Sequence, residues 1–140
     1  MFRIKIIQVG KMKKGPLKEV HLELLKRLSL YTKIEIINIK ELSSTNIKKQ
    51  GTYTVILSED GKTMDSKLFA QSLITWSEQG QRELTFIIAG PFGFDRSLLK
   101  EVNMILSLSP MTFTHEMAYL LLLEQIYRAG TILAGKTYHY

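Results

Sequence analysis

The residues able to do chemistry gather in the last third of the chain. Gly90-Pro91-Phe92-Gly93 follows an apolar run from Leu84 to Ala89, and pairs glycines that permit close backbone approach with a proline that stiffens the turn. Ser107 to Phe113 offers small side chains with main-chain amides and carbonyls, a combination suited to reading an adenine or a ribose. On composition alone, a plain strand and turn is the simpler account of that segment. An apolar helix from about Thr114 to Leu133 carries Tyr127-Arg128-Ala129, and the sequence ends on Tyr138-His139-Tyr140. Two loops after two strands, a long helix behind them and a titratable tail able to reach back describe a site better than a scaffold.

Other chemistries find little support. The chain has no cysteine, which excludes disulfides and thiolate zinc sites. Gly-Pro-Phe-Gly lacks the lysine of a phosphate-cradling loop and the spacing of a dinucleotide fingerprint. No Ser/His/Asp triad or pair of facing carboxylates points to a hydrolase. The acidic stretch Ser58-Glu59-Asp60-Gly61-Lys62 would suit a metal or a ribose, but Asp-Gly turns are common for their backbone geometry, and the turn reading is preferred. His21 lies beside an apolar stripe, where a packed or surface histidine is the ordinary case. No metal is expected.

The elements that must position these residues alternate along the chain. Phe2 to Val9 reads as a strand ended by Gly10, and a basic loop leads to a helix from about Pro16 with Leu17, Val20, His21, Leu24, Leu25 and Leu28 at helical spacing. Ile34 to Ile39 is a second strand. Glu41 to Gly51 is polar and reads as a loop or a poorly packed single turn. Tyr53 to Ser58 makes a third strand; Asp65 then caps a helix whose face is Leu68, Phe69, Leu73 and Trp76, closed by Gln79-Gly80-Gln81. The Leu84 strand follows, with length and β-branched content suited to burial on both faces. This alternation predicts an α/β domain with a mostly parallel sheet flanked by helices on both faces. Ligands collect at the carboxyl ends of such strands. The three ends that matter are Leu57-Ser58, Ala89-Gly90-Pro91 and Met111-Thr112-Phe113.

The 140 residues suit a single domain spanning 1–140, and the composition, 45% hydrophobic and 23% charged, is that of a soluble globular protein. The longest apolar stretch, Met117 to Leu123, ends at Glu124, well short of the roughly 20 residues a membrane span needs. Arg3 and Lys5 interrupt any signal-peptide core, so a cytoplasmic protein without membrane partners is expected. The net charge is +6, with Lys11, Lys13, Lys14, Lys18, Lys26, Arg27, Lys33, Lys48 and Lys49 clustered in the first third. Such a surface attracts polyanions by counterion release, or simply keeps the protein soluble; both readings stay open. Aromatic residues are not interleaved with the lysines as a single-strand stacking platform would require.

Ile88-Ala89-Gly90-Pro91-Phe92-Gly93, then Ser107 to His115, then Tyr127-Arg128-Ala129 and a terminal Tyr138-His139, together with Gly10-Lys11-Met12-Lys13, resemble the ribosomal RNA large subunit methyltransferase H family. The resemblance implies a SPOUT-type α/β domain with a deep trefoil knot. It further implies a homodimer that binds S-adenosylmethionine in the knot, with its active site at the subunit interface, and methylates N3 of a pseudouridine in large-subunit ribosomal RNA within the ribosome. Carried over by position, Leu57, Gly90, Leu108, Ser109, Pro110, Met111, Thr112 and Phe113 would hold the cofactor. His139 would be the base or proton relay, Arg128 would hold a phosphate or developing negative charge, and Tyr138 would stack on the base or cofactor. His115 stands in second rank. The chain departs from the family pattern at Ala89, Phe92 and Ser58, and in a short Glu41–Gly51 segment. A non-catalytic ribosome-associated protein retaining the fold is the rival reading.

Overall fold

The structure is a computed structural model that describes residues 3–47 and 50–137. Its elements are β1 (Arg3–Val9), α1 (Pro16–Leu28), β2 (Lys33–Ile39), β3 (Tyr53–Lys62), α2 (Ser66–Gln79), β4 (Glu83–Ile88), β5 (Met104–Leu106) and α3 (His115–Leu133), with 3-10 turns at Ser44–Asn46 and Arg96–Glu101. The five strands form one sheet in the order β2-β1-β4-β3-β5, and every pairing is parallel. β4 lies at the centre and is buried along its whole length, as an apolar run covered on both faces should be.

Strand alternation divides the core in two. Ile4, Ile6, Val55, Leu57, Leu84, Phe86 and Ile88 point to one face and pack with Leu24 and Leu28 of α1, Phe69, Leu73 and Trp76 of α2, and Tyr119, Leu122 and Leu123 of α3. Ile7, Ile56 and Ile87 point to the other face and meet Ile47 and Leu98. Both faces are covered by helical elements, but unequally: all three α-helices take the first and the two 3-10 turns take the second.

Local chemistry sets the helix starts. Asp65 Oδ1 accepts the Leu68 N–H at 2.8 Å to cap α2, and Thr114 Oγ1 accepts the Met117 N–H at 3.2 Å to cap α3. The described residues of the Glu41–Gly51 segment hold a 3-10 turn closed by Ser43 and Asn46, and Ile47 anchors it to the second core. On α1 the stripe is narrower than the sequence suggests. His21, Leu24 and Leu28 are buried, whereas Leu17 and Val20 are 37% and 48% exposed. Leu68, expected on the inner face of α2, is likewise exposed.

Two expectations about the strands need correction. The final strand is Met104–Leu106, so Ser107 to Phe113 is entirely loop, and the strand end lies at Leu106-Ser107. β3 also runs past Ser58. After Leu57 pairs with Leu106 the register breaks, and Lys62 pairs with Leu106 again, so residues 58–61 bulge out of the ladder. The acidic stretch is therefore a ridge in the carboxyl-terminal part of β3, beside the edge strand β5. No helix among the described residues is long and apolar enough to cross a membrane.

Candidate functional site

Because β4, β3 and β5 are neighbours, their carboxyl ends open side by side. There they enclose a cleft of ≈ 780 Å³, lined by Leu57–Glu59, by Ile88–Phe94 and by the loop and first helical turn between Leu108 and Ala118. A volume between about 300 and 1,000 Å³ is the ordinary range for a small-molecule or cofactor site. Of the eight residues expected around a cofactor, Leu57, Gly90, Leu108, Ser109, Met111, Thr112 and Phe113 line this cleft. Pro110 belongs to the same loop but is not among the lining residues.

The ridge after β3 ties the walls together. The Glu59 carboxylate accepts a hydrogen bond from Thr112 Oγ1, and the Glu59 carbonyl accepts one from Ser107 Oγ at 3.1 Å. Ser107 N–H donates to the Lys62 carbonyl at 2.9 Å, fixing the root of the same loop. Asp60 is held by Ser58 Oγ and by the Arg96 guanidinium. Those hydrogen bonds, Ser58 first and Arg96 second, keep the Asp60 carboxyl below its ordinary pKa. The ridge can approach β5 this closely only because residue 61 is glycine. A Cβ there would lie 2.7 Å from the backbone carbon and oxygen of Ile105. Reading the segment as an ordinary turn missed Glu59, Asp60 and Arg96. Their pairing depends on a register break that alternation in sequence does not reveal.

The wall after β4 is a tight turn. Gly93 N–H donates to the Gly90 carbonyl at 3.0 Å, and Gly93 takes φ +74°, the left-handed region that glycine enters without strain. Gly90 lies against β1, where an added Cβ would meet Val9 Cγ1 at 3.0 Å. Phe92, at the tip of the turn, is fully exposed on the rim.

The third wall leads into α3, whose first turn brings His115 and Glu116 to the cleft. An acidic side chain is favourable there because unsatisfied amides give a helix N-terminus partial positive charge. Arg128 is on the same helix, thirteen residues on, about 20 Å along the axis at ~1.5 Å per residue. Its guanidinium donates to Glu124 Oε1 from Nη2 at 2.6 Å and from Nε at 2.9 Å. A single copy of the chain therefore does not bring Arg128 to the cleft. Tyr138 and His139 lie outside the described residues. Among the described residues no group of three or more His, Cys, Asp or Glu side chains is arranged to hold a metal ion.

The sequence model of the family described as "Predicted SPOUT methyltransferase" matches residues 2–139. Relatives named "Ribosomal RNA large subunit methyltransferase H" align along nearly their whole length. That of Acetivibrio thermocellus is 40% identical, with 98% of this chain and 99% of the relative covered. That of Desulfotalea psychrophila is 39% identical with 96% and 97% covered, and that of Bacillus cytotoxicus is 37% identical with 97% and 98% covered. The chain belongs to this family. Within it the present member is compact: the first of these alignments runs over 157 positions, more than the 140 residues of this chain, so that relative carries residues this chain lacks. A solved structure described as "a probable methylase family protein from Haemophilus influenzae Rd KW20" shares the fold, with a TM-score of 0.57 at 8% identity; the match covers 94% of this chain and 66% of that one.

Proposed function

We propose that the chain transfers the methyl group of S-adenosylmethionine to N3 of a pseudouridine in large-subunit ribosomal RNA. The observation that carries this reading is the cleft itself: in a member of a methyltransferase family, seven residues expected to hold the cofactor line one cavity at the carboxyl ends of three parallel strands. The donor set fits. S-adenosylmethionine joins an apolar-faced adenine to hydroxyls and a cationic sulfonium. The cleft offers Leu57, Ile88 and Leu108, the polar Ser109 and Thr112, and two carboxylates, Glu59 and Glu116.

When bound, the cofactor supplies an electrophilic methyl group. The rest of the work falls on the chain. N3 of a pseudouridine is protonated at neutral pH and becomes a nucleophile only as that proton leaves, so a base positioned at N3 raises the rate. His139 takes that role in this reading, since histidine is the side chain whose unperturbed pKa, near ~6.5, lies closest to neutral pH. Arg128 steadies the negative charge that spreads onto the base carbonyls, and Tyr138 stacks against the base or cofactor. The ridge, tied to the Ser107–Thr114 loop through Glu59 and to the segment after β4 through Asp60 and Arg96, keeps the donor in line with the acceptor.

The positions of these groups support a homodimer. α3 runs away from the cleft, and Leu133 stands about 27 Å along the axis from His115 at ~1.5 Å per residue. The six residues from Leu133 to His139 span at most about 22 Å when fully extended. Arg128 and the tail of one copy thus complete the cleft of another. We infer a single-domain protein, residues 1–140, that works as a pair on the large subunit in the cytoplasm, its net charge of +6 favouring contact with RNA phosphates.

The test is transfer of tritiated methyl groups to large ribosomal subunits that lack the modification, using Gly90→Val and Arg128→Ala separately and in mixed pairs. Each variant alone should be inactive, and co-expressed pairs should regain part of the activity, because one mixed site keeps an intact cleft and an intact arginine. Mixed pairs as dead as the parents would contradict the shared site. Wild-type protein that binds cofactor but transfers nothing would contradict the activity.

A further inference from the structure

The ring of Phe92 is out of place as a structural residue. It is fully exposed at the tip of the turn between Gly90 and Gly93, on the rim of the cleft. The turn that presents it is stiff, closed by the Gly93 N–H to Gly90 carbonyl bond and by the antiparallel bridge between the two glycines, with Pro91 inside it. Phe94, two residues on, behaves differently: it packs against the second core, and the Arg96 guanidinium lies 5.6 Å from its ring centroid. Across the cleft Met111 is 74% exposed, so both lips of the opening are apolar.

A basic loop leaves the sheet beside this turn. β1 and β4 pair as far as Gln8 and Ile88, so the loop after Val9 leaves the sheet next to the one after β4, and it carries Lys11, Lys13 and Lys14, all exposed. Met12, between them, is buried and pins the loop to the core. A rigid exposed ring beside lysines, at the mouth of a cleft that must admit a base, is the chemistry that holds an unpaired nucleotide strand: phosphates to the cations, a base face to the aromatic.

We propose that Phe92 is a stacking platform for an unpaired base of the RNA substrate at the lip of the cleft, with Lys11, Lys13 and Lys14 holding the adjoining phosphates. This rests on reading the cleft as the site of methyl transfer. The role belongs to the folded arrangement, because the ring and the lysines are some eighty residues apart in sequence and share one end of the sheet only through the pairing of β1 with β4.

The test compares wild type with Phe92→Ala, Phe92→Trp and Phe92→Leu in methyl transfer to unmodified large ribosomal subunits. Cofactor affinity is followed by calorimetry and oligomeric state by sedimentation. Loss of one base stack should lower kcat/KM roughly tenfold in Phe92→Ala, through KM for the subunits, with cofactor affinity and oligomeric state unchanged. Tryptophan should restore binding and leucine should not. An unchanged Phe92→Ala, or a leucine variant equal to wild type, overturns the stacking role. A loss of affinity that tracks dissociation of the dimer overturns it too, placing the ring against a second copy of the chain. Wild-type protein that transfers no methyl at all overturns the functional reading and this inference with it, whereas an active wild type with an indifferent Phe92 overturns the stacking alone.

Discussion

Replacing Glu59 with alanine should cut one wall of the cleft from another while leaving the fold in place. The Glu59 carboxylate holds Thr112 Oγ1 near the tip of the Ser107–Thr114 loop. Its carbonyl still accepts Ser107 Oγ at the loop's root in the variant, since that bond is made by the main chain. Hydrogen bonds to charged groups contribute about 1.5–3 kcal/mol when protected, but this one is exposed, which brings it toward the ~0.2–1 kcal/mol of solvent-facing charged pairs. Taking about 1 kcal/mol, and supposing the loop must be re-ordered for the cofactor to bind, affinity for S-adenosylmethionine falls about fivefold. Global stability should fall by no more than about 1 kcal/mol, because neither partner is buried. Calorimetric titration of wild type, Glu59→Ala, Thr112→Val and the double variant measures this directly. Each single change should weaken binding, and the double should lose less than the sum of the two, since both remove the same shared contact. Glu59→Gln keeps an acceptor and should fall between. Fully additive losses, or single variants that bind as wild type does, would refute the idea that the ridge positions the loop.

The remaining expectations concern the fold that carries the cleft. His21 is buried against the Tyr119 ring at 5.1 Å between centroids, and burial, with the Lys18 charge adding to it, lowers its pKa below 6.5. The unfolded chain therefore binds this proton more readily, so stability is fully present above about pH 6.5 and declines as pH falls below it toward the folded value. Melting curves between about pH 8 and about pH 5 should show that decline, and His21→Phe should flatten it; parallel curves would contradict the assignment. Gly61→Ala drives a Cβ to 2.7 Å from the Ile105 backbone and should destabilise the protein by about 1–3 kcal/mol, lowering the Tm by about 3–10 °C and weakening cofactor binding through the displaced ridge. An unchanged Tm would mean that β5 yields without strain.

Much of this architecture is legible in the residues. The largely apolar Leu84–Ala89 run marks a strand buried on both faces, Asp65 announces its helix as a capping residue, and the alternation of strands with helices dictates parallel pairing. The cleft is legible because loops at adjacent carboxyl ends must converge. Three features are not. β5 has only three residues, too few for alternation to register, and its place is fixed from outside, by the Asn103 side chain accepting the Thr54 N–H and by pairing with β3. The bulge at residues 58–61 hides behind a sequence that any Asp-Gly turn would show, although its glycine is required by contact with Ile105. The distance from the cleft to Arg128 is a property of helix length and direction. Residues that look like one constellation in sequence are, in the homodimer we infer, distributed over two copies of the chain.

The most direct measurement is mass spectrometry of nuclease fragments of large-subunit ribosomal RNA, taken from ribosomes lacking the modification after incubation with this protein and S-adenosylmethionine. One added methyl on a single pseudouridine-containing fragment, absent when Gly90→Val replaces the wild type, is the expected result. Fragments without added methyl, from protein shown to bind the cofactor, would contradict the assignment of the cleft to this reaction.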